Sequence, residues 1–346
     1  MYYNLNKKIK IILTISIIIL VHLPNSSTFI NAQTVNNKKP ITIGLNLWSP
    51  NFLTFVAHEK GFFKKNNVDV NISYLPHFGQ ALNAYSNGEL DGILTVYSDI
   101  LIQQSQGVDT KVVYNSDLAY KADAIVGNGN NLSDVKGKNL GVERINSYSN
   151  LFVLKSLEKA HIFEGDVKFV NVPVQNVTSA LQKGQIFAGH TYEPFLSDVI
   201  KKGYIVLSTA ADIPGIITTV LAFHSDIVNQ RPSDIQNIIK SLIEAKQDYE
   251  INKEQDIAIM SQKSGLSKEQ IIDGINNVHL LDLNYNFLKS MNKNSNETTS
   301  LYKPGSEIVK FYAERGIISE YPNIDDLVDP EFVNTLIKED NITSFQ

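Results

Sequence analysis

GLNLWSPNF (Gly44–Phe52), EKG (Glu59–Gly61), DVNISYLP (Asp69–Pro76) and ALNAYSNGELDGILTVYSD (Ala81–Asp99) form one stretch of this chain. They are echoed in the same order by GVERINSYSNLF (Gly141–Phe152), EKA (Glu158–Ala160), DVKFVNVP (Asp166–Pro173) and ALQKGQIFAGHTYEPF (Ala180–Phe195). Gly44 maps to Gly141, Asp69 to Asp166 and Pro76 to Pro173 at an offset of 97, and Gly88 maps to Gly184 at 96. A nearly constant offset implies one structural unit used twice. The unit ends a strand in a loop, enters a helix and returns through a strand. Two such α/β lobes face each other across a cleft.

Outward from the repeat, Ile41–Leu47 alternates as a strand, and Phe52–Lys65 carries a helical apolar face with Gly61 near its end. Val68–Leu75 reads as a strand, Phe78–Asn87 as a helix stopped by Gly88, and Leu90–Tyr97 as a buried parallel strand. Lys111–Tyr114, Ala124–Val126 and Ile216–Phe223 are further strands. Residues 233–281 read as mainly helical, with Ser233 and Ser267 as N-cap candidates. Residues 290–306 form a polar loop, Glu307–Glu314 a helix, and Asp329-Pro330-Glu331 the start of the last one. Alternating strands and helices predict mostly parallel sheets with right-handed crossovers. The polar stretch 128–138 is the expected lobe boundary, and segments near 120–128 and 208–222 the expected hinge.

The chain has 346 residues, 43% of them apolar and 19% charged, which is compatible with two packed domains and not with wholesale disorder. Net charge is −5 and there is no long basic block, so nucleic acid is not an expected partner. The absence of cysteine excludes thiol catalysis, disulfides, zinc–thiolate sites and a lipid-modified cysteine. Lys7, Lys8 and Lys10 precede the apolar run Ile11–Leu23, which is shorter than the roughly 20 residues a membrane span needs and has the length of a signal h-region. Asn31-Ala32-Gln33 offers a cleavage site; the alternative is a short uncleaved anchor. Either way the body of the chain is expected outside the cytoplasm. The expected layout is signal peptide or anchor over 1–33, linker over 34–39, a first lobe over 40–125 and 213–346, and a second over 126–212. Six Asn-x-Ser/Thr sites, at Asn25, Asn71, Asn131, Asn176, Asn296 and Asn341, are no more than so Asn-rich a chain yields by chance.

EKGFF (Glu59–Phe63) with VDV (Val68–Val70), NGELDG (Asn87–Gly92), LSDVKGKNLGV (Leu132–Val142), YEPF (Tyr192–Phe195), DIPGII (Asp212–Ile217) and DLVDPEFV (Asp326–Val333) occur in sequence order. In these motifs the chain resembles the substrate-binding proteins of ABC importers, in the nitrate, sulfonate, taurine and thiamine-precursor branch (NMT1/THI5-like), from about residue 40 to 338. The resemblance implies the type II periplasmic-binding fold: α/β, two lobes, each a mostly parallel sheet flanked by helices, with the ligand cleft between them. It also implies a small-molecule ligand, a membrane permease as partner, a monomer, no cofactor and no reaction. Where relatives often carry Asp-x-Ser-x-Gly-Ala-Asp, this chain has DLAYKAD (Asp117–Asp123), with Ala119 for Ser and Lys121 for Gly. That departure bears on specificity if the loop touches ligand. An enzyme like the thiamine-pyrimidine synthases is the first alternative, but those need a cysteine-rich segment. A receptor's sensing module is the second, but no full membrane span or signalling domain is visible.

Ligands in open α/β sheets sit at the carboxyl ends of strands. Trp48, the only tryptophan, either stacks on a flat or cationic group there or covers the first lobe's core. Ser49, Asn51 and Phe52 open the first helix, and Ser147, Tyr148 and Ser149 hold the equivalent loop. These positions either offer N–H groups to an anion or simply cap helices. Tyr97 and Asp99 end the third strand, with Tyr192 and Glu193 as repeat equivalents of Val96 and Tyr97. Asp99 either binds a cationic group or caps its helix; Glu193 either binds or starts one. Asp117 and Tyr120 follow another strand. Three carboxylates against one nearby basic residue, Arg144, weigh towards a ligand with a cationic or amino group, a nitrate or sulfonate remaining open. The seven histidines show no paired metal-ligand spacing, no metal is expected, and no phosphate loop or Ser/His/Asp triad follows from spacing.

Overall fold

In the computed structural model, residues 38–343 are described. The expected signal segment, its cleavage site and most of the linker lie outside them. Strand β1 (Ile41–Leu45) buries Ile41, Ile43 and Leu45 completely. It pairs in parallel with β2 (Val70–Tyr74) on one side and β3 (Gly92–Val96) on the other. The remaining strands are β4 (Thr110–Ala119), β5 (Asp123–Gly127), β6 (Asn139–Val142), β7 (Lys168–Asn171), β8 (Ala188–Tyr192), β9 (Ile205–Thr209), β10 (Thr218–His224) and β11 (Val278–Leu280). One sheet has the order β11-β4-β10-β3-β1-β2 and the other β7-β6-β8-β5-β9. Helices such as Phe78–Ser86 and Tyr97–Ser105 pack on the first, and Tyr148–Lys159, Val177–Gln182 and Phe195–Lys201 on the second.

The repeat holds down to register. Gly44 faces Ser73 and Ile93, and Gly141 faces Val170 and Gly189, which are the same pairs displaced by the sequence offset. Leu90 lies 2.4 Å from where a Cβ on Gly44 would stand, and Ile186 lies 2.9 Å from that of Gly141. Both lobes thus use glycine on the central strand to admit the side chain that precedes the third strand.

The sheets are mixed rather than mostly parallel. Only β1, β2 and β3, and their equivalents β6, β7 and β8, run parallel; β10 is antiparallel to β3 and β4, and β5 to β8 and β9. The reason is connectivity. After β4 the chain leaves for the second sheet and enters it as β5, and after β9 it returns as β10. A strand arriving from the opposite lobe needs no crossover helix and lies antiparallel to its host. The crossings are residues 120–122 and 210–217. The expected boundary at 125/126 therefore falls inside β5, whose whole length belongs to the second sheet. The polar stretch 128–138 likewise lies within the second lobe.

Other expectations shift locally. Gly61 takes φ +75° and divides the expected helix 52–65 into Leu53–Glu59 and Phe62–Lys65, preceded by a 3-10 turn, Ser49–Phe52. The long helix Pro232–Ile251 starts before Ser233, with proline in its first turn, so Ser233 is not a cap. Ser267 is one: its hydroxyl accepts the Gln270 amide and Gln270 reaches back to the Ser267 amide.

Candidate ligand-binding cleft

A cavity lies where the two sheets' carboxyl ends meet, lined by Asn46, Trp48, Asn51, Thr95, Val96, Asp123, Tyr148, Tyr192, Ile217 and Thr219. Most of this set is generated by the repeat. Asn51 and Tyr148 occupy the same position of the two lobes, as do Val96 and Tyr192. Thr219 pairs with Val96 and Asp123 with Tyr192, so the two crossing strands also contribute equivalent residues. The centre of a water molecule can move in about 20 Å³ of this space, room for one or two waters. A solute held there without the lobes parting has only a few heavy atoms.

The first-lobe wall is fixed by hydrogen bonds. Trp48 Nε1–H donates to Asp117 Oδ1 at 3.0 Å, and Asn51 Nδ2 donates to Asn46 Oδ1 at 2.9 Å and Leu94 O at 3.4 Å. Both Asn51 donors meet oxygens, which orients the amide and leaves Asn51 Oδ1 with no partner among the described residues. Across the cavity the Tyr192 ring meets Trp48 edge-on at 5.9 Å, and Tyr148 packs on Phe78 at 4.9 Å.

Behind the second-lobe wall lies a buried chain. The Glu143 amide donates to Ser149 Oγ at 3.0 Å, Ser149 Oγ lies 2.8 Å from His190 Nδ1, and His190 Nε2 lies 3.2 Å from Asp123 Oδ1. With Asp123 ionised and therefore only accepting, the ring proton sits on Nε2, and Nδ1 accepts from the Ser149 hydroxyl. The three residues form a Ser–His–Asp row that sequence spacing did not reveal, but its polarity suits binding and not acyl transfer. The serine is at the fully buried end and the carboxylate lines the cavity. Asp123 Oδ2 has no hydrogen-bond partner among the described residues.

Burial raises every carboxyl group here. Asp117 is pushed up to about 7 by desolvation, against the lowering effect of its bond from Trp48. Asp123 is raised by desolvation despite His190, and Glu143 by desolvation despite the Tyr148 hydroxyl. Burial and neighbouring carboxylates hold Tyr148 and Tyr192 neutral.

Trp48, Asn51, Tyr148 and Tyr192 of the sequence candidates line the cavity, and Asp117 stands behind Trp48. The others lie elsewhere. Ser49 packs on Gly274, and Phe52 is in the core against Phe55 and Tyr74. Tyr97 is buried with its hydroxyl against Gly305, and Ser147 donates to the Arg144 carbonyl. Asp99 is buried off the cavity, pushed up to about 7 by desolvation despite Arg144, and neither caps its helix nor lines the site. Glu193 takes the helix-start alternative and accepts the Ser197 amide and hydroxyl. Tyr120 packs at a tilt against His279, 4.6 Å between ring centres, in a separate cavity beside the crossings. Asp123, Asn46, Thr95, Val96, Ile217 and Thr219 line the cavity without having been candidates. Asn46 and Thr95 lay inside the quoted repeat, one residue beyond β1 and at the penultimate position of β3, where the cleft rule already pointed.

A sequence profile described as the NMT1-like family matches residues 35–262. The chain belongs to the NMT1-like family. Among curated proteins none matches it. Solved structures reproduce the two-lobed fold of this NMT1-like chain. The periplasmic aliphatic sulphonate binding protein SsuA from Escherichia coli is 17% identical, with a TM-score of 0.67 over 84% of this chain and 97% of its own. A ligand-binding component of an ABC-type import system from Staphylococcus aureus, with zinc bound, is 16% identical at 0.67, covering 86% and 98%. The desulfurization enzyme DSZB is 14% identical at 0.64, covering 87% and 99%. At such identities the likeness establishes the fold, which serves binding proteins and an enzyme alike.

Proposed function

We propose that this protein is an extracytoplasmic solute-binding protein, monomeric, that delivers a small nitrogen- or sulfur-containing compound to an ABC importer. The observation that carries the reading is the cavity itself. Equivalent residues of two lobes, Asn51 with Tyr148 and Val96 with Tyr192, converge on one enclosed space, while the chain joins the lobes through two short crossings. Such a clamp closes on a solute and presents a closed surface to a partner without chemistry. Membership of the NMT1-like family and the fold shared with importer binding components support it.

A thermal-shift screen of the purified protein tests the reading. The compounds are guanidinium, small amines, amino-pyrimidines, taurine, alkanesulfonates, nitrate and bicarbonate. A solute at 100 times its dissociation constant stabilises the folded state by about 2.7 kcal/mol. The reading expects at least one such shift, abolished by Tyr192→Ala. Shifts that survive Tyr192→Ala place binding outside the cleft and overturn it.

A further inference from the structure

Resting on that reading, we infer that the cleft selects a small planar cation that carries N–H groups, of the guanidinium or amidinium kind, with Asp123 as the residue that reads its charge. Two buried side-chain atoms among the lining residues have no hydrogen-bond partner among the described residues, Asp123 Oδ2 and Asn51 Oδ1, and both are acceptors. Each residue is 1% exposed, so neither atom recovers its hydrogen bond from bulk water. The Trp48 and Asn51 N–H groups are spent on Asp117, Asn46 and Leu94, and the donors left on the lining, the Asn46 amide and the Thr95 and Tyr192 hydroxyls, are all neutral. No lining residue is basic. An anion brought here loses its water and meets a carboxylate with no fixed cation among the lining residues. A flat cation instead gives one N–H to Asp123 and another to Asn51, and its faces meet the Trp48, Tyr148 and Tyr192 rings.

His190 is the positioning residue. Its bond to Oδ1, backed by Ser149, fixes the carboxylate and leaves Oδ2 for the ligand. The small cavity disfavours a long alkanesulfonate but does not separate planar cations from nitrate, so charge and not size carries the inference.

Calorimetric titration with guanidinium, acetamidinium, methylammonium, nitrate and methanesulfonate, at concentrations below those that denature, tests this. The expected result is saturable binding of the two planar cations, weaker binding of methylammonium, and about 10- to 100-fold loss for Asp123→Asn. His190→Gln, which keeps Asp123 but not its fixed orientation, is expected to narrow the preference for planar cations over methylammonium. The melting curve of each variant reports its folding, and the wild-type ranking of the ligands needs no variant. If none of the cations binds, or if Asp123→Asn leaves their affinity unchanged, the inference is overturned. Nitrate or methanesulfonate binding that Tyr192→Ala abolishes and Asp123→Asn spares overturns it too, while the cleft reading stands. Binding of any probe that ignores both variants overturns both.

Discussion

Asp123 sets the charge of the cleft, and little in the local sequence marks it. It closes the DLAYKAD segment whose departure from the family pattern was visible, yet its repeat equivalent, Thr219, is not acidic and lies on a strand outside the repeat. Spacing alone does not join two strands that reach their sheets from opposite lobes. The surroundings of Asp123 set a pH dependence. His190 and Ser149 hold it from behind, Glu143, Tyr148 and Tyr192 share its wall, and Asp117 faces it from the first lobe. Desolvation raises its carboxyl group, so a bound cation favours the ionised form and binding expels a proton. Cation affinity is therefore expected to rise with pH from mildly acid to neutral solution, measured by calorimetry in buffers of different ionisation enthalpy. Affinity that falls with rising pH contradicts this.

Asp99 and Asp117 give a second residue-scale test. Both are pushed up to about 7, against about 3.9 in an unfolded chain. Between about pH 4 and pH 7 the folded protein keeps protons that the unfolded chain has lost. Their contribution to stability is largest at the acid end and declines as pH rises, by up to about 1.4 kcal/mol per pH unit for each. The carboxyl groups held low, Asp248 and Glu59, act in the opposite sense only below that window. The ligand-free protein is expected to melt higher at pH 5 than at pH 7.5, and Asp117→Asn to flatten the difference.

At the scale of elements, strand and helix types were legible because their hydrophobic periods are strong, and the errors lie where tertiary context decides. Gly61 reads as a helix end from composition, but only the φ of +75° shows two helices joined by a left-handed residue. Ser233 and Ser267 look alike in sequence, each with a Gln three residues on, yet only Ser267 completes a capping box; Ser233 lies inside a helix that starts at Pro232, and Gln236 donates to the Phe332 carbonyl instead. Ser267→Ala is expected to cost about 1 kcal/mol in denaturant unfolding. Among the glycines, a Cβ at Gly44 would meet a leucine tip, while one at Gly127 would meet the Phe187 carbonyl at 2.6 Å and Ala188 Cα at 2.7 Å. Backbone on the paired strand β8 cannot turn aside. Gly127→Ala is therefore expected to destabilise by about 3 kcal/mol or more and Gly44→Ala by roughly 1–3 kcal/mol. Equal costs would contradict the register.

At the scale of the molecule, the repeat predicted two lobes and a cleft, and the structure has them. It could not predict the exchange of β5 and β10, because each enters its sheet from the other lobe and leaves no mark on a local period. Closure across the cleft rests on rings more than on charge. Trp48 meets Tyr192 and Phe78 meets Tyr148 at its floor, whereas Arg315 and Glu164 pair at 2.5 Å with the glutamate half exposed. Glu164→Gln is expected to change stability by less than about 1 kcal/mol. The single tryptophan makes the central claim directly measurable at fixed pH, since Trp48 lines the cavity. A titration of Trp48 emission with acetamidinium is predicted to give a saturable change in the native protein, shifted to about 10- to 100-fold higher concentration in Asp123→Asn. A flat response to acetamidinium and guanidinium, with a saturable response to nitrate or a sulfonate, would contradict the account.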